Sequence, residues 1–147
     1  MHLLLAFPVA QPPAQVLAGF TRQLFEALAP PFPRLQLRRY DGSRTGDVVA
    51  IELCAGPKCW PWTSLIVADG TLPDGTCYFI DEGQQLTPPL RQWQHRHLII
   101  PGRAGGSVIV EDIHFSTGRR WLDVLLYPAF WAQFQLRGPV YRRFFDA

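Results

Sequence analysis

Trp93, His95 and His97 occupy alternate positions in the stretch LRQWQHRHLII, residues 90–100. Because alternate residues of a β-strand point to the same face, a strand here would place the indole and both imidazoles side by side. Imidazole binds metals, exchanges protons near neutral pH and forms hydrogen bonds in protein cores. The stretch therefore predicts either a site with histidine chemistry or a polar element that fixes the register of a sheet.

Three interpretations of this histidine pair remain open. His95 and His97 could bind a divalent metal together with His114 or Asp112, although the spacing names no specific third ligand. One histidine could instead act as a general acid or base, or donate a hydrogen bond to a carbonyl ligand. We favour the third interpretation, a structural role as hydrogen-bonded core residues. We therefore assign no catalytic residue, no metal site and no cofactor.

The strand that follows in the sequence could supply an acidic hydrogen-bond partner for these histidines. GSVIVEDIHFS, residues 106–116, follows the turn PGRAGG, so the two strands form a hairpin centred near Ala104. This register places His95 opposite Asp112 or Ile113, and an Asp112 carboxylate could then orient an imidazole. The opposite face of the strand at residues 91–100 is rich in Gln and Arg, so we expect Trp93 and the histidines to point inward.

Two further carboxylates, Asp81 and Glu82, are adjacent in the stretch CYFIDEG and must point to opposite faces of a strand. We expect Asp81 to be an acceptor at the end of the strand. Glu82 is expected to bind an arginine, either Arg91 or Arg96.

Hydrophobic periodicity organises the chain as strand, helix, about six strands and a long C-terminal helix. The first strand has Leu3, Leu5 and Phe7 on one face, which favours a strand over a secretory signal for the opening residues. An early helix follows Pro12 and ends before Pro30. The strands are predicted at residues 2–9, 34–40, 48–54, 62–68, 77–83, 91–100 and 106–116.

The C-terminal helix carries the longest apolar stripe in the sequence. Pro128 lies inside this helix and predicts a kink or a new helix start, and Gly138 with Pro139 predicts a break. A run of antiparallel strands needs one face covered, so the helix must lie across the sheet in a two-layer α+β structure. The stripe consists of Leu122, Leu125, Leu126, Ala129, Phe130 and Phe134.

This order of elements resembles the START-like, or SRPBCC, superfamily. The resemblance rests on LRRYDGSRTGDVVAIEL, WTSLI, CYFIDEG, LRQWQHRHLII, VIVEDIHF and LLYPAFWAQFQLR, and the pattern is most similar to an uncharacterised bacterial subgroup. It implies a helix-grip fold, in which a curved antiparallel β-sheet wraps around a long C-terminal α-helix and leaves a cavity between them. Residues 1–147 would form a single START-like domain.

The resemblance also implies a ligand, a small hydrophobic molecule or lipid, in that cavity. Aromatic residues make up 13% of the chain, which is enough to line an apolar pocket as well as a core. Gln133 lies near the apolar stripe of the helix, where an amide needs a partner. The candidate cavity lining is Trp62, Phe79, Trp93, His95, His97, Leu126, Phe130, Gln133 and Phe134.

Composition limits the other classes of function. A net charge of +2 with scattered arginines argues against a nucleic-acid partner. No apolar stretch is long enough for an integral membrane segment. Cys54, Cys59 and Cys77 form an odd set without a disulfide framework, which predicts a reducing, cytoplasmic location.

We therefore expect binding of a hydrophobic or amphipathic ligand, more in keeping with a carrier than with an enzyme. The alternative is an aromatase/cyclase- or lyase-type enzyme that uses a cavity histidine for proton transfer. A further alternative is an interaction module with a filled core and an apolar patch around Trp121, Tyr127 and Trp131. Its partner would be an epimerase-like oxidoreductase.

Overall fold

The computed structural model describes residues 1–146, and Ala147, the last residue of the predicted domain, lies outside them. Within this range, seven antiparallel strands form one curled sheet in the order β1-β7-β6-β5-β4-β3-β2. The strands are β1 His2–Val9, β2 Arg34–Tyr40, β3 Val48–Ala55, β4 Lys58–Thr71, β5 Cys77–Gln85, β6 Gln92–Pro101 and β7 Ser107–Ser116. The helices are α1 Pro13–Ala18, α2 Arg22–Ala27, α3 Arg120–Gln135 and α4 Arg137–Phe145.

The predicted α+β helix-grip architecture is confirmed. Alternation along β1 buries Leu3, Leu5 and Phe7 and leaves the residues between them exposed, as the sequence predicted. The concave face of the sheet carries the core, and α1 to α4 cover it. Among the described residues, no helix is long and apolar enough to cross a membrane.

The early helix is two helices rather than the single one predicted. α1 ends at Gly19, and α2 begins after Thr21, whose hydroxyl accepts a hydrogen bond from the Leu24 backbone N–H. A Cβ at Gly19 would lie 2.3 Å from the Phe145 ring. The chain turns at Gly19 because α4 packs against it there, and this brings Phe20 over the concave face.

The C-terminal helix continues through Pro128, and the chain breaks at Leu136, before the predicted Gly138–Pro139 break. Pro139 lies in the first turn of α4, where its missing N–H costs nothing. A Cβ at Gly138 would lie 3.0 Å from the Phe7 ring, so glycine allows α4 to pack closely on β1.

The predicted helix stripe is wrong in part. Leu126, Phe130 and Phe134 pack inward, four residues apart, whereas Leu125 is 66% exposed and Ala129 is also exposed. The helix contacts the sheet through this row of residues spaced four apart. The residues that directly precede them in the sequence, Leu125 and Ala129, therefore face solvent.

The start of α3 is fixed by Asp123, whose carboxylate accepts hydrogen bonds from the Thr117 backbone N–H and hydroxyl, both at 2.7 Å. These hydrogen bonds hold the pKa of Asp123 below its ordinary value. The carboxylate therefore joins the last turn of the sheet to the first turn of the helix in its ionised form.

The prediction that the cysteines form no disulfide is wrong. Cys54 and Cys59 are bonded as a disulfide directly across the β3–β4 hairpin. β4 begins at Lys58, four residues before its predicted start, so the hairpin turn is tight and the two cysteines become a cross-strand pair. Cys77 is free and buried.

Candidate functional site

A cavity of about 270 Å³ lies between the concave face of the sheet, α2 and α3. Val49 and Ile51 of β3 line one wall, and Leu24 and Leu28 line the side formed by α2 and the residue after it. The structure places all nine residues of the predicted lining in its wall, namely Trp62, Phe79, Trp93, His95, His97, Leu126, Phe130, Gln133 and Phe134.

Aromatic side chains form the deep apolar part of this cavity. Trp93 makes edge-to-face contacts with Trp62, at 5.1 Å between ring centroids, and with Phe130, at 5.7 Å. Phe20 contacts Phe79 at 5.2 Å from the opposite side. Edge-to-face contacts of this kind are favourable, so they stabilise the apolar wall.

His95 and His97 lie on the concave face of β6, buried, with their ring centroids 3.7 Å apart. Across the neighbouring strands, Asp81 of β5 lies directly opposite His95, and Glu111 of β7 lies directly opposite His97. These four side chains, which we call the acid–imidazole cluster, therefore come from three central strands of the sheet. Alternation along each strand, combined with this register, sends all four to the same face.

Within the cluster each carboxylate faces both imidazoles. Glu111 Oε2 is hydrogen-bonded to His95 Nε2 and lies 3.5 Å from His97 Nδ1. Asp81 Oδ2 lies 3.3 Å from His97 Nε2 and 3.8 Å from His95 Nδ1. The two ring nitrogens of each histidine thus face two different carboxylates.

Glu111 is fully buried and is fixed from the C-terminal helix. Arg137 Nη1 donates a hydrogen bond to Glu111 Oε1 at 3.0 Å, and the Tyr141 hydroxyl donates to the same oxygen. Burial raises the pKa of Glu111, but the positive charges of Arg137 and His95 outweigh it, so the pKa lies well below its ordinary value. Burial and the Glu111 charge raise the pKa of Tyr141 well above its ordinary value, which keeps this hydroxyl a donor.

Asp81, His95 and His97 are the members of the cluster that line the cavity. Burial raises the pKa of Asp81, but the hydrogen bond from His97 and the charge of His95 outweigh it and lower the pKa overall. Burial lowers the pKa of His97, and the charge of His95 lowers it further. A carboxylate beside a neutral imidazole is an arrangement that can accept a proton or bind a cation.

The predicted role of Asp112 is wrong, because this residue lies on the convex face and does not orient His95 or His97. There it is hydrogen-bonded to Arg96 at 2.8 Å and to His2 at 2.7 Å. Since His95 pairs with Ile113, the residue that shares its face is Glu111. His114, considered as a possible third metal ligand, is also convex, 50% exposed, and lies 3.3 Å from Asp112.

The predictions for the adjacent carboxylates also need correction. Asp81 is not at a strand end, because β5 continues to Gln85, and its side chain points to the histidines. Glu82 accepts a hydrogen bond from Gln94 at 2.9 Å rather than from an arginine.

Three polar groups of the cavity wall have no hydrogen-bond partner among residues 1–146. The Thr87 hydroxyl and His97 Nδ1 are buried without one, and the Gln133 amide forms no hydrogen bond either. Buried polar atoms are rarely left in this state. The cavity therefore offers unsatisfied polar groups next to an apolar wall.

Solved structures share this fold. The crystal structure of Ara h 8.0201 matches with a TM-score of 0.58 at 17% identity, over 95% of this chain and 97% of that chain. The Zhui aromatase/cyclase from Streptomyces sp. R1128 matches with a TM-score of 0.55 at 14% identity, over 92% and 89%. A norcoclaurine synthase point mutant from Thalictrum flavum, in complex with a transition-state analogue, matches with a TM-score of 0.60 at 9% identity, over 87% and 82%.

These likenesses show that the chain shares the helix-grip fold of those proteins. No protein-family model matches the chain, and no curated protein matches its sequence. At these identities the fold is shared, and the function has to be argued from the cavity itself.

Proposed function

We propose that this protein binds a small hydrophobic or amphipathic molecule in the cavity between the sheet and the C-terminal helix. The observation that carries the proposal is an apolar cavity of about 270 Å³ with unpartnered polar atoms in its wall. Ligand sites in proteins typically measure about 300–1,000 Å³, so this cavity fits a molecule at the small end of that range.

The arrangement of the wall suggests how such a ligand is oriented. Trp62, Trp93 and Phe130 would bury its apolar part, which is the main source of affinity. The Gln133 amide and the Asp81–His97 pair, which all line the cavity, would bind its polar group. An amphipathic ligand satisfies both parts of the wall at once.

A matched pair of variants tests binding in the cavity. Val49 lines the cavity, whereas the adjacent Val48 points to the other face of β3. Val49→Trp should fill part of the cavity and weaken binding of the fluorescent probe 1-anilinonaphthalene-8-sulfonate at least tenfold, and Val48→Trp should leave it unchanged. Native mass spectrometry of protein from its own host should also show a bound mass. Equal affinities of both variants, or no probe binding at all, would contradict the proposal.

Catalysis of the aromatase/cyclase or lyase type is the second candidate function. It is favoured by the contact between His97 and Asp81 in the cavity wall, since this pair could move a proton to or from a bound molecule. Incubation of the recovered ligand with the protein in D₂O separates the two functions. A carrier returns the ligand unchanged, whereas an enzyme returns it altered or deuterated, and His97→Gln should abolish that change.

The interaction module with a filled interior is less well supported, because the cavity is not filled by side chains of the described residues. Trp121 and Trp131 are exposed, while Tyr127 is partly buried against the core. An epimerase-like oxidoreductase partner and membership of the bacterial subgroup stay predictions.

The cytoplasmic location also stays a prediction. The Cys54–Cys59 disulfide is the feature that opposes it, because disulfides persist in oxidising compartments. Thiol labelling of the protein in its host distinguishes the two locations.

A further inference from the structure

We propose that Asp81, His95 and His97 form a binding site for a divalent transition-metal ion of the Zn²⁺ type at the polar end of the cavity. One donor atom from each of these side chains lies within 4.8 Å of the other two. Two imidazoles and one carboxylate are a donor set that zinc and its neighbours in the first transition row accept. The inference does not rest on the proposed function, because a metal ion can bind without an organic ligand.

The distances between the donor atoms match the size of such an ion. Asp81 Oδ2 lies 3.3 Å from His97 Nε2 and 3.8 Å from His95 Nδ1. Ligands about 2.1 Å from a tetrahedral ion are separated from one another by roughly 3.4 Å. The two measured separations are close to that value, and all three donor atoms lie within 4.8 Å of one another.

Glu111 occupies the position of the outer carboxylate that metal-binding histidines require. Its Oε2 atom is hydrogen-bonded to His95 Nε2 and lies 3.5 Å from His97 Nδ1. These two ring nitrogens lie on the far side of the imidazoles from Asp81. A carboxylate in this position fixes the tautomer and the ring orientation of a metal ligand. Arg137 and Tyr141 hold this carboxylate in place.

The unpartnered nitrogen of His97 gives independent support. The His97 side chain is 9% exposed, and its Nδ1 atom has no hydrogen bond. Coordination through Nε2 requires Nδ1 to carry the proton, and a small rotation toward Glu111 would then give that proton an acceptor. The metal-bound state satisfies a buried atom that is left unsatisfied here.

The coordination shell would remain open on one side. All three proposed ligands line the cavity, so a fourth position faces its interior and can take water or an oxygen of a ligand. Three protein ligands with one open position are typical of zinc sites that bind substrates.

A second cluster with the same donor types, His2, Asp112 and His114, lies on the convex face and serves as an internal control. His2 and His114 are about half exposed, and Arg96 already neutralises the Asp112 carboxylate. On the convex face the Asp112 carboxylate is already paired with an arginine. Among the ion pairs of the described residues, the Asp81 carboxylate in the cavity contacts only histidines.

Titration of chelator-treated protein with Co²⁺ and with Zn²⁺ alone tests the site. We expect one Co²⁺ per chain with tetrahedral ligand-field absorption, and competition by Zn²⁺. Asp81→Asn and His97→Gln should each weaken binding at least tenfold. The double variant His2→Gln/His114→Gln should bind as the unaltered protein does. Loss of binding in the double variant instead would overturn the proposal.

Imidazole NMR of the unaltered protein gives a readout that does not depend on a variant folding. Zn²⁺ should shift the ring resonances of His95 and His97 and leave those of His2 and His114 in place. Shifts confined to His2 and His114, or none at stoichiometric Zn²⁺, would refute the site. Failure of probe binding with intact Zn²⁺ binding would refute only the proposed function.

Discussion

Substitution of one carboxylate, Glu111→Gln, tests whether the acid–imidazole cluster is fixed by a buried charge. Glu111 is fully buried and accepts hydrogen bonds from Arg137 and Tyr141. Glutamine keeps the shape and an acceptor for Tyr141, but it removes the charge beside Arg137. The adjacent residue Asp112 provides the control, because Asp112→Asn makes the same chemical change on the opposite face of β7.

The expected magnitudes differ because the partners differ in exposure. The Arg137 side chain is 16% exposed, and leaving one member of a buried ion pair without its partner costs about 3–5 kcal/mol. Arg96 and His2, which contact Asp112, are 44% and 51% exposed, so that loss should be about 1 kcal/mol. For a chain of this length, Tm should fall by about 10 °C for Glu111→Gln and by less than about 4 °C for Asp112→Asn.

Thermal unfolding followed by circular dichroism measures both differences. The double variant Glu111→Gln/Arg137→Gln should be less destabilised than the sum of the two single variants, because the cost lies in the unpaired charge. Equal losses for Glu111→Gln and Asp112→Asn, or additive losses in the double variant, would refute this account of the cluster.

Two further predictions concern α3. Phe130→Leu should weaken binding of 1-anilinonaphthalene-8-sulfonate severalfold, and Trp131→Leu should not, because Phe130 lines the cavity and Trp131 is 46% exposed; equal effects would contradict the helix orientation. Asp123→Asn should lower Tm at pH 7, and the difference should shrink as the pH falls below about 4. The folded-state pKa of Asp123 is lowered, so its contribution is present above the unfolded-state pKa and is lost as the pH falls through the folded-state value. A Tm difference that is constant between pH 7 and pH 3 would refute that role.

The sequence predicted the inward orientation of Trp93, His95 and His97 because the two faces of β6 differ in polarity. It could not choose the acidic partner, since Glu111 and Asp112 are adjacent. A shift of the hairpin register by one residue exchanges the faces of these two carboxylates. The structure fixes the register by pairing His95 with Ile113, and only then does Glu111 become the residue beside the histidines.

The role of Asp81 and the two residues that hold Glu111 were missed because the ends of strands and helices were misjudged. Asp81 was expected at a strand end because Gly83 follows it, but β5 continues for two more residues past that glycine. Arg137 and Tyr141 were not placed because Gly138 and Pro139 were expected to end helical structure. These two residues fit the first turn of a new helix as well as they fit a break, and local sequence does not distinguish the two.

The distribution of satisfied and unsatisfied polar groups separates structural from functional residues in this site. Glu111 and Tyr141 lie behind the cavity wall. Hydrogen bonds join Glu111 to His95, Arg137 and Tyr141, so the burial of both side chains needs no further ligand. In the wall itself, the Thr87 hydroxyl and His97 Nδ1 are buried without a partner. Because a buried polar atom costs stability when it is unpaired, a fold that needed these residues only for its core would pair them as completely as it pairs Glu111. The unpartnered nitrogen of His97 lies 3.5 Å from Glu111, and an ion bound to His97 Nε2 from the cavity would complete the network by turning Nδ1 toward that carboxylate.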